Sequence, residues 1–190
     1  MYRINEIFFS LQGEGFWTGT PMVFVRFSGC NLKCPFCDTD HAEGAEMSAE
    51  AIVAEAVRTG NGCTRVCITG GEPALQLDSV LVEAFHAAGF RIHVETNGTH
   101  SLPEGVDWVT MSPKSDVPGL KGDGTVVLTR ADEVKVVFLG ADVEKWADFP
   151  ADWHFLQPCS CSNTAGTVAY ILEHPHWRLS LQTHKYLNIR

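Results

Sequence analysis

Positive charge is scarce in this chain of 190 residues: 14 Lys and Arg stand against 23 Asp and Glu, for a formal net charge of −9. The basic residues are scattered without a cluster, which disfavours a nucleic-acid groove. Long apolar runs are missing as well. None approaches the roughly eighteen residues that cross a bilayer, and the chain opens without an apolar signal segment. No internal repeat or low-complexity tract is visible. The expectation is a soluble cytoplasmic enzyme that engages neither membrane nor nucleic acid. Its length fits a single domain over 1–190 with enough apolar residues for a real core.

Cysteine is present in an odd number, seven, which with the missing export segment speaks against a disulfide framework. Cys30, Cys34 and Cys37 stand in the order Cys-x3-Cys-x2-Cys. Three thiolates on one short loop can hold three corners of a 4Fe-4S cube and leave the fourth iron open to a small molecule. Zinc is the competing reading, because Asp38 adjoins Cys37 and His41 lies four residues beyond it, so a closed Cys3His set is arithmetically available. The flanking FVRFSGCNLKCPFCDT resembles the signature of the radical S-adenosylmethionine enzymes, whose open iron takes the amino and carboxylate groups of that cofactor. Cys159 and Cys161 lie one residue apart with only Cys63 and Cys67 left elsewhere, a poor basis for a second cluster.

Apolar, β-branched runs recur as INEIFF, MVFVRF, RVCIT, FRIHVET, DWVTM, EVKVVF, WHFLQ and WRLSLQ. Helical patterns lie between some of them. Ser48 starts one, with Ile52, Val53, Ala56 and Val57 as its apolar stripe and Gly60 at its end. Asp78 caps a second, with Leu81, Val82, Phe85 and Ala88 on one face and Gly89 as the stop. Asn163 or Thr164 caps a third, with Val168, Ile171 and Leu172 facing inward ahead of Pro175. Alternating strands and few helices predict an α/β fold, a mostly parallel sheet shaped as an open partial barrel with its site at the strand ends. The segment PKSDVPGLKGDG reads as a surface loop.

Thr69-Gly70-Gly71-Glu72-Pro73 directly follows the run RVCIT. Its glycines allow a sharp turn with exposed N–H and C=O groups, and it resembles the GGEP motif of the same superfamily. Together, EIFFSLQGEG, the cysteine loop ending CDT, TGGEP, VETNGT, MSPK, DEVKVV, LQP and LQTHKYLNIR resemble the 7-carboxy-7-deazaguanine synthases over essentially the whole chain. That resemblance implies a ring contraction of 6-carboxy-5,6,7,8-tetrahydropterin. A 5′-deoxyadenosyl radical takes hydrogen from C6, the pterin radical rearranges, ammonia leaves and 7-carboxy-7-deazaguanine forms. Two other classes compete: a different radical enzyme, such as an activase of a partner protein, and a zinc-stabilised binding module without catalysis.

The resemblance also implies roles. Cys30, Cys34 and Cys37 hold the 4Fe-4S cluster. Phe36, Cys37, Asp38, Gly71, Ser112, Pro113, Lys114, Gln157, Pro158, Cys159 and Ser160 meet S-adenosylmethionine. Beyond Pro158 the chain reads CSCSN, shorter than the matching loop of other members, so the side-chain contacts of Cys159 and Ser160 are open. Leu11, Gln12, Gly13 and Glu14 form the edge that reads the pterin, whose donors and carbonyl ask for matching acceptors and donors. Arg26, a charge inside an apolar strand, suits the substrate carboxylate. Thr69, His184 and the terminal carboxylate of Arg190 complete the substrate contacts. Thr39 offers a hard oxygen to Mg²⁺. A flavodoxin or ferredoxin as electron donor and a homodimer are the implied partners.

Overall fold

The apolar, β-branched runs pair side by side into one sheet. In the computed structural model, which describes residues 1–140 and 142–190, the strands are β1 (Tyr2–Leu11), β2 (Pro21–Phe27), β3 (Ala45–Met47), β4 (Arg65–Gly70), β5 (Arg91–Thr96), β6 (Trp108–Met111), β7 (Ala131–Phe138), β8 (Ala151–Pro158) and β9 (Arg178–Leu179). Their order is β3-β1-β2-β4-β5-β6-β7-β8-β9. β1 runs antiparallel to β2 and β3; from β2 onward each neighbouring pair is parallel. β3 and β9 are the two edges, so the sheet stays open. It is the mostly parallel, helix-poor α/β sheet that the sequence predicts, with the short β3 as an addition.

Among the described residues four α-helices accompany it: α1 (Ala49–Thr59), α2 (Ser79–Ala87), α3 (Thr164–Glu173) and α4 (Thr183–Leu187). Ser48 caps α1 by accepting from Ala51 N at 3.2 Å, and Asp78 caps α2 by accepting from Leu81 N at 3.1 Å. Asn163 stands at the start of α3 but spends its side chain elsewhere, on Cys159 N and the Phe138 carbonyl. Three expected inward residues do not go in. Val57 is 55 % exposed, Leu172 is 77 % exposed, and Ala88 is exposed. In α3 the fully buried position is Thr167, so its inward stripe is rotated from the apolar pattern. α4 was not foreseen, since five residues carry too little periodicity to read.

Alternation along the strands sorts the residues between two faces. Val23, Val25 and Phe27, Val66 and Ile68, and Ile92 and Val94 face α1 and α2 and form one core with Ile52, Leu81 and Phe85. The other face is the concave one, and register aligns it in rows. Phe24 sits beside Cys67, and Cys67 beside His93. One step up, Arg26 pairs with Thr69, Glu95 with Thr110, and Thr110 with Glu133. Polar side chains thus gather toward the carboxyl ends of the strands on the inner face.

Candidate active site

The cysteines lie on the loop that leaves β2. That loop passes so close to the turn after β4 that only glycine fits. A Cβ on Gly70 or Gly71 would overlap the carbonyl of Phe27 or Gly29, respectively. The two segments are also bonded: Gly71 N donates to Phe27 O at 3.1 Å and Glu72 N to Gly29 O at 2.9 Å. Glu72, fully buried, accepts from Thr96 Oγ1 at 2.7 Å, Asn97 N at 2.6 Å and Ala74 N at 3.0 Å. Asn97 Nδ2 in turn donates to Asn31 Oδ1 at 3.1 Å. The glycine turn, the end of β5 and the cysteine loop are therefore one hydrogen-bonded unit.

This unit walls one end of a cavity of about 400 Å³ lined by Cys30, Cys34, Phe36, Cys37, Asp38, Thr39 and Gly71. Ser112, Lys114, Gln157, Pro158, Cys159 and Ser160 line it from the later strands. Lys114 Nζ donates to the Ser112 carbonyl and hydroxyl, each at 2.6 Å. Burial pulls its ammonium down to about 8, against the opposing pull of Cys34. Ser160 and Cys161 sit in the left-handed region at φ 46 and φ 63, unusual for residues with a side chain and typical of a loop held for function.

Leu11, Gln12, Gly13, Glu14, Arg26, Thr69, His184 and Arg190 line the same cavity. Its floor is an ionic network. Lys135, buried on β7, pairs with Glu14 and stands 3.5 Å from Glu95 Oε1. Burial alone would depress this ammonium, yet Glu14, Glu95 and Glu133 together raise it above its ordinary value. Glu14 experiences the converse. Burial pushes its carboxyl up, but Lys135, Gln182 and Gln157 overcome that and hold it at about 2. Gln182 Nε2 reaches Glu14 Oε1 at 2.9 Å, and Gln12 Nε2 and Thr69 Oγ1 reach Glu95 at 3.0 and 3.2 Å. Arg26 Nε binds Glu6 Oε1 at 2.8 Å, with Arg190 on the other oxygen of the same carboxylate. His184 packs on Gly13, where a Cβ would overlap its ring.

Among the residues proposed from sequence, Pro113 stands apart: it lines a small neighbouring crevice beside Trp146 instead of the cavity. Sequence reasoning missed Glu95, Lys135, Asn97, Gln182 and Lys185, which all line the cavity. The signal applied to Arg26, a charge inside an apolar run, was available for Lys135 in EVKVVF and Glu95 in FRIHVET.

A sequence model of the radical SAM superfamily matches residues 24–119. The 7-carboxy-7-deazaguanine synthase of Bacteroides thetaiotaomicron is 54% identical over 190 residues, covering all of both chains. That of Caulobacter vibrioides is 45% identical over 214 residues, covering 99% of each. The chain belongs to the 7-carboxy-7-deazaguanine synthase family. The crystal structure of QueE from Escherichia coli superposes with a TM-score of 0.79 at 32% identity, over 95% of this chain and 93% of that one. SuiB of Streptococcus suis shares the fold, with a TM-score of 0.51 at 15% identity over 79% of this chain and 46% of that one. The open, mostly parallel sheet is thus the radical SAM fold, and the protein is a radical SAM enzyme of this family.

Membership implies a 4Fe-4S cluster and S-adenosylmethionine, and the residues present fit both. All seven cysteines are free, so the three on the loop are available as soft thiolate ligands. Burial raises the thiols of Cys30 and Cys34, and nearby cysteine charge raises them further, a repulsion that bound iron would relieve. Among the described residues no three His, Cys, Asp or Glu side chains converge on one point. A cube needs no such convergence, because each thiolate takes a different iron. The cavity beside the cysteines, about 400 Å³, is of the size that takes a small-molecule ligand.

Proposed function

We propose that the enzyme contracts the ring of 6-carboxy-5,6,7,8-tetrahydropterin to 7-carboxy-7-deazaguanine with loss of ammonia. The observation that carries this reading is a single cavity with three cysteines at one end and a floor of Glu14, Glu95, Lys135 and Arg26 at the other. When bound, the cluster and S-adenosylmethionine supply the radical that starts the reaction.

The chain's own residues hold and orient. Cys30, Cys34 and Cys37 would ligate the cluster. Phe36, Asp38, Gly71, Ser112, Lys114 and the segment from Gln157 to Ser160 would seat the cofactor around it. Ser112 and Lys114 bond to each other, so that wall is preorganised. Glu14, kept ionised by Lys135, is an acceptor for the amino and N–H groups of the pterin, and Gln12 beside it supplies an amide. Arg26 uses Nε on Glu6, and its remaining N–H groups suit the substrate carboxylate. Thr69 and His184 flank that space. Thr39 would give a hydroxyl to Mg²⁺, with substrate oxygens completing the ion's shell.

An anaerobic assay tests the reading. Cluster-loaded protein receives S-adenosylmethionine, a reductant, Mg²⁺ and the pterin, and 7-carboxy-7-deazaguanine is sought by mass spectrometry. Product that disappears in Cys37→Ala is the expected outcome. Formation of 5′-deoxyadenosine without product would overturn the substrate assignment.

A further inference from the structure

The connection between β1 and β2 folds back over the inner face of the sheet, with Gln12 and Gly13 buried and Thr18 and Gly19 exposed. Its neck is closed by Gln12 N to Thr20 O at 2.8 Å and Gly19 N to Gln12 O at 2.7 Å, and its tip turns into the concave face below the cavity. Phe16 lies against Trp108 and Trp153, with ring centroids 5.1 and 5.0 Å away. Trp17 meets His93 at 5.1 Å and Trp108 at 5.4 Å, both edge-on. Phe16 is 40 % exposed, so the tip covers the aromatic rings of the inner face with one side still in solvent, and Glu14 leads directly into it.

One buried carboxyl seats this tip. Glu133 on β7, 2 % exposed, accepts from Phe16 N at 2.9 Å. Gly15 at φ +65 passes so close that a Cβ there would overlap Glu133 Oε1. Gly15 N donates to Ser180 Oγ at 2.9 Å, and that hydroxyl donates to Gln157 Oε1 at 2.8 Å. The backbone on the far side of Glu14 is thus pinned by two bonds, which direct the Glu14 carboxylate up onto Lys135 and Gln182.

We propose that Glu133 is a positioning residue for the substrate-reading segment: its carboxyl, seated beneath Gly15 and Phe16, fixes the loop tip and thereby presents Glu14 to the cavity. Glu133 is absent from the cavity wall, so it acts through Glu14. Burial holds this carboxyl above its ordinary value, against the pull of Lys135; glutamine keeps the length and an oxygen that can accept from Phe16 N. The proposal rests on the reading of the cavity as the pterin site.

The test compares Glu133→Ala, Glu133→Gln and Gly15→Ala as full-length, cluster-loaded enzymes. Steady-state kinetics are run with 6-carboxytetrahydropterin, and hydrogen exchange is followed at the amides of residues 14–17. Losing a hydrogen bond to a buried acid is worth roughly tenfold or more. KM should therefore rise about that much in Glu133→Ala, with kcat within about threefold. Glu133→Gln should retain near-normal KM, because its amide oxygen still accepts from Phe16 N. Gly15→Ala displaces the same contact from the other side and should raise KM likewise, which covers the case of Glu133→Ala failing to fold. The amides of 14–17 should exchange slowly in wild type and Glu133→Gln and fast in Glu133→Ala. An unmoved KM in a folded Glu133→Ala, or equal losses in the Ala and Gln variants, would overturn the positioning role. Wild-type enzyme that turns over no pterin would refute the substrate reading instead, and the exchange rates would then decide the positioning role alone.

Discussion

Replacing Lys135 with Met removes the ammonium that Glu14 and Glu95 share. Methionine matches the length of the stem but leaves two carboxylates facing each other below the cavity. Removing one partner of a buried pair typically costs about 3–5 kcal/mol, since the remaining charge is stranded. Here Gln182 still donates to Glu14 and Gln12 to Glu95, so the lower end, about 3 kcal/mol, is expected. For a chain of this size that is a fall in Tm of roughly 6–12 °C. The assay is thermal unfolding of anaerobic, cluster-loaded protein, with the double variant Lys135→Met/Glu14→Gln alongside. The double variant should recover at least half of the loss, because the stranded charge has gone. The pH profile gives a second handle. Glu14 is held below its ordinary 4.5, at about 2, so its contribution is present above 4.5 and is lost as pH falls toward 2. Lys135 is raised above its ordinary 10.5, so its contribution is present below 10.5 and is lost as pH rises beyond it. The gap between wild type and Lys135→Met should therefore be widest from about pH 5 to pH 10 and close in acid. A Tm change under about 2 °C at neutral pH, or no recovery in the double variant, would refute the view of this floor as a mutually dependent charge network.

The remaining predictions concern two glycines whose neighbours leave no room. In Gly71→Ala the new Cβ runs into the Gly29 carbonyl and lies 3.0 Å from Cys30 Cβ, so the cysteine loop must shift. Iron and sulfide content after reconstitution should fall several-fold, and stability by about 1–3 kcal/mol. In Gly13→Ala the methyl collides with the ring of His184, which is tied to the same spot by Thr183 N to Gly13 O at 2.8 Å. That pushes α4 off the cavity, and kcat/KM should drop about tenfold to a hundredfold with the iron content unchanged.

What the sequence disclosed and what it withheld differ in physical kind. The cysteine loop, the glycine turn and LQGEG are contiguous, and contiguous chemistry is readable because the chain itself sets the spacing. The sheet was readable for the same reason, since β-branched runs such as RVCIT carry their own period of two. Lys135 and Glu14 are 121 positions apart, and nothing local to either announces the other. Their meeting depends on strand order, on β7 entering the sheet beside β6 and β8, and on a loop that folds inward when its sequence, with Gly13 and Gly15, equally suits an outward turn. Pro113 shows the opposite limit. It stands between two cavity-lining residues, Ser112 and Lys114, and adjacency made it a site candidate, but the extended chain turns alternate residues to opposite sides. A motif names a stretch of chain; where that stretch is extended, as from Ser112 to Lys114, the site takes alternate residues, and it pairs them with charges from strands far away in sequence. The unpaired charge inside an apolar run is the sequence mark of such a pairing, because burial without a partner would be prohibitive. It identified Arg26, and by the same reasoning it points to Lys135 and Glu95 and predicts that a counter-charge must exist before the structure shows where.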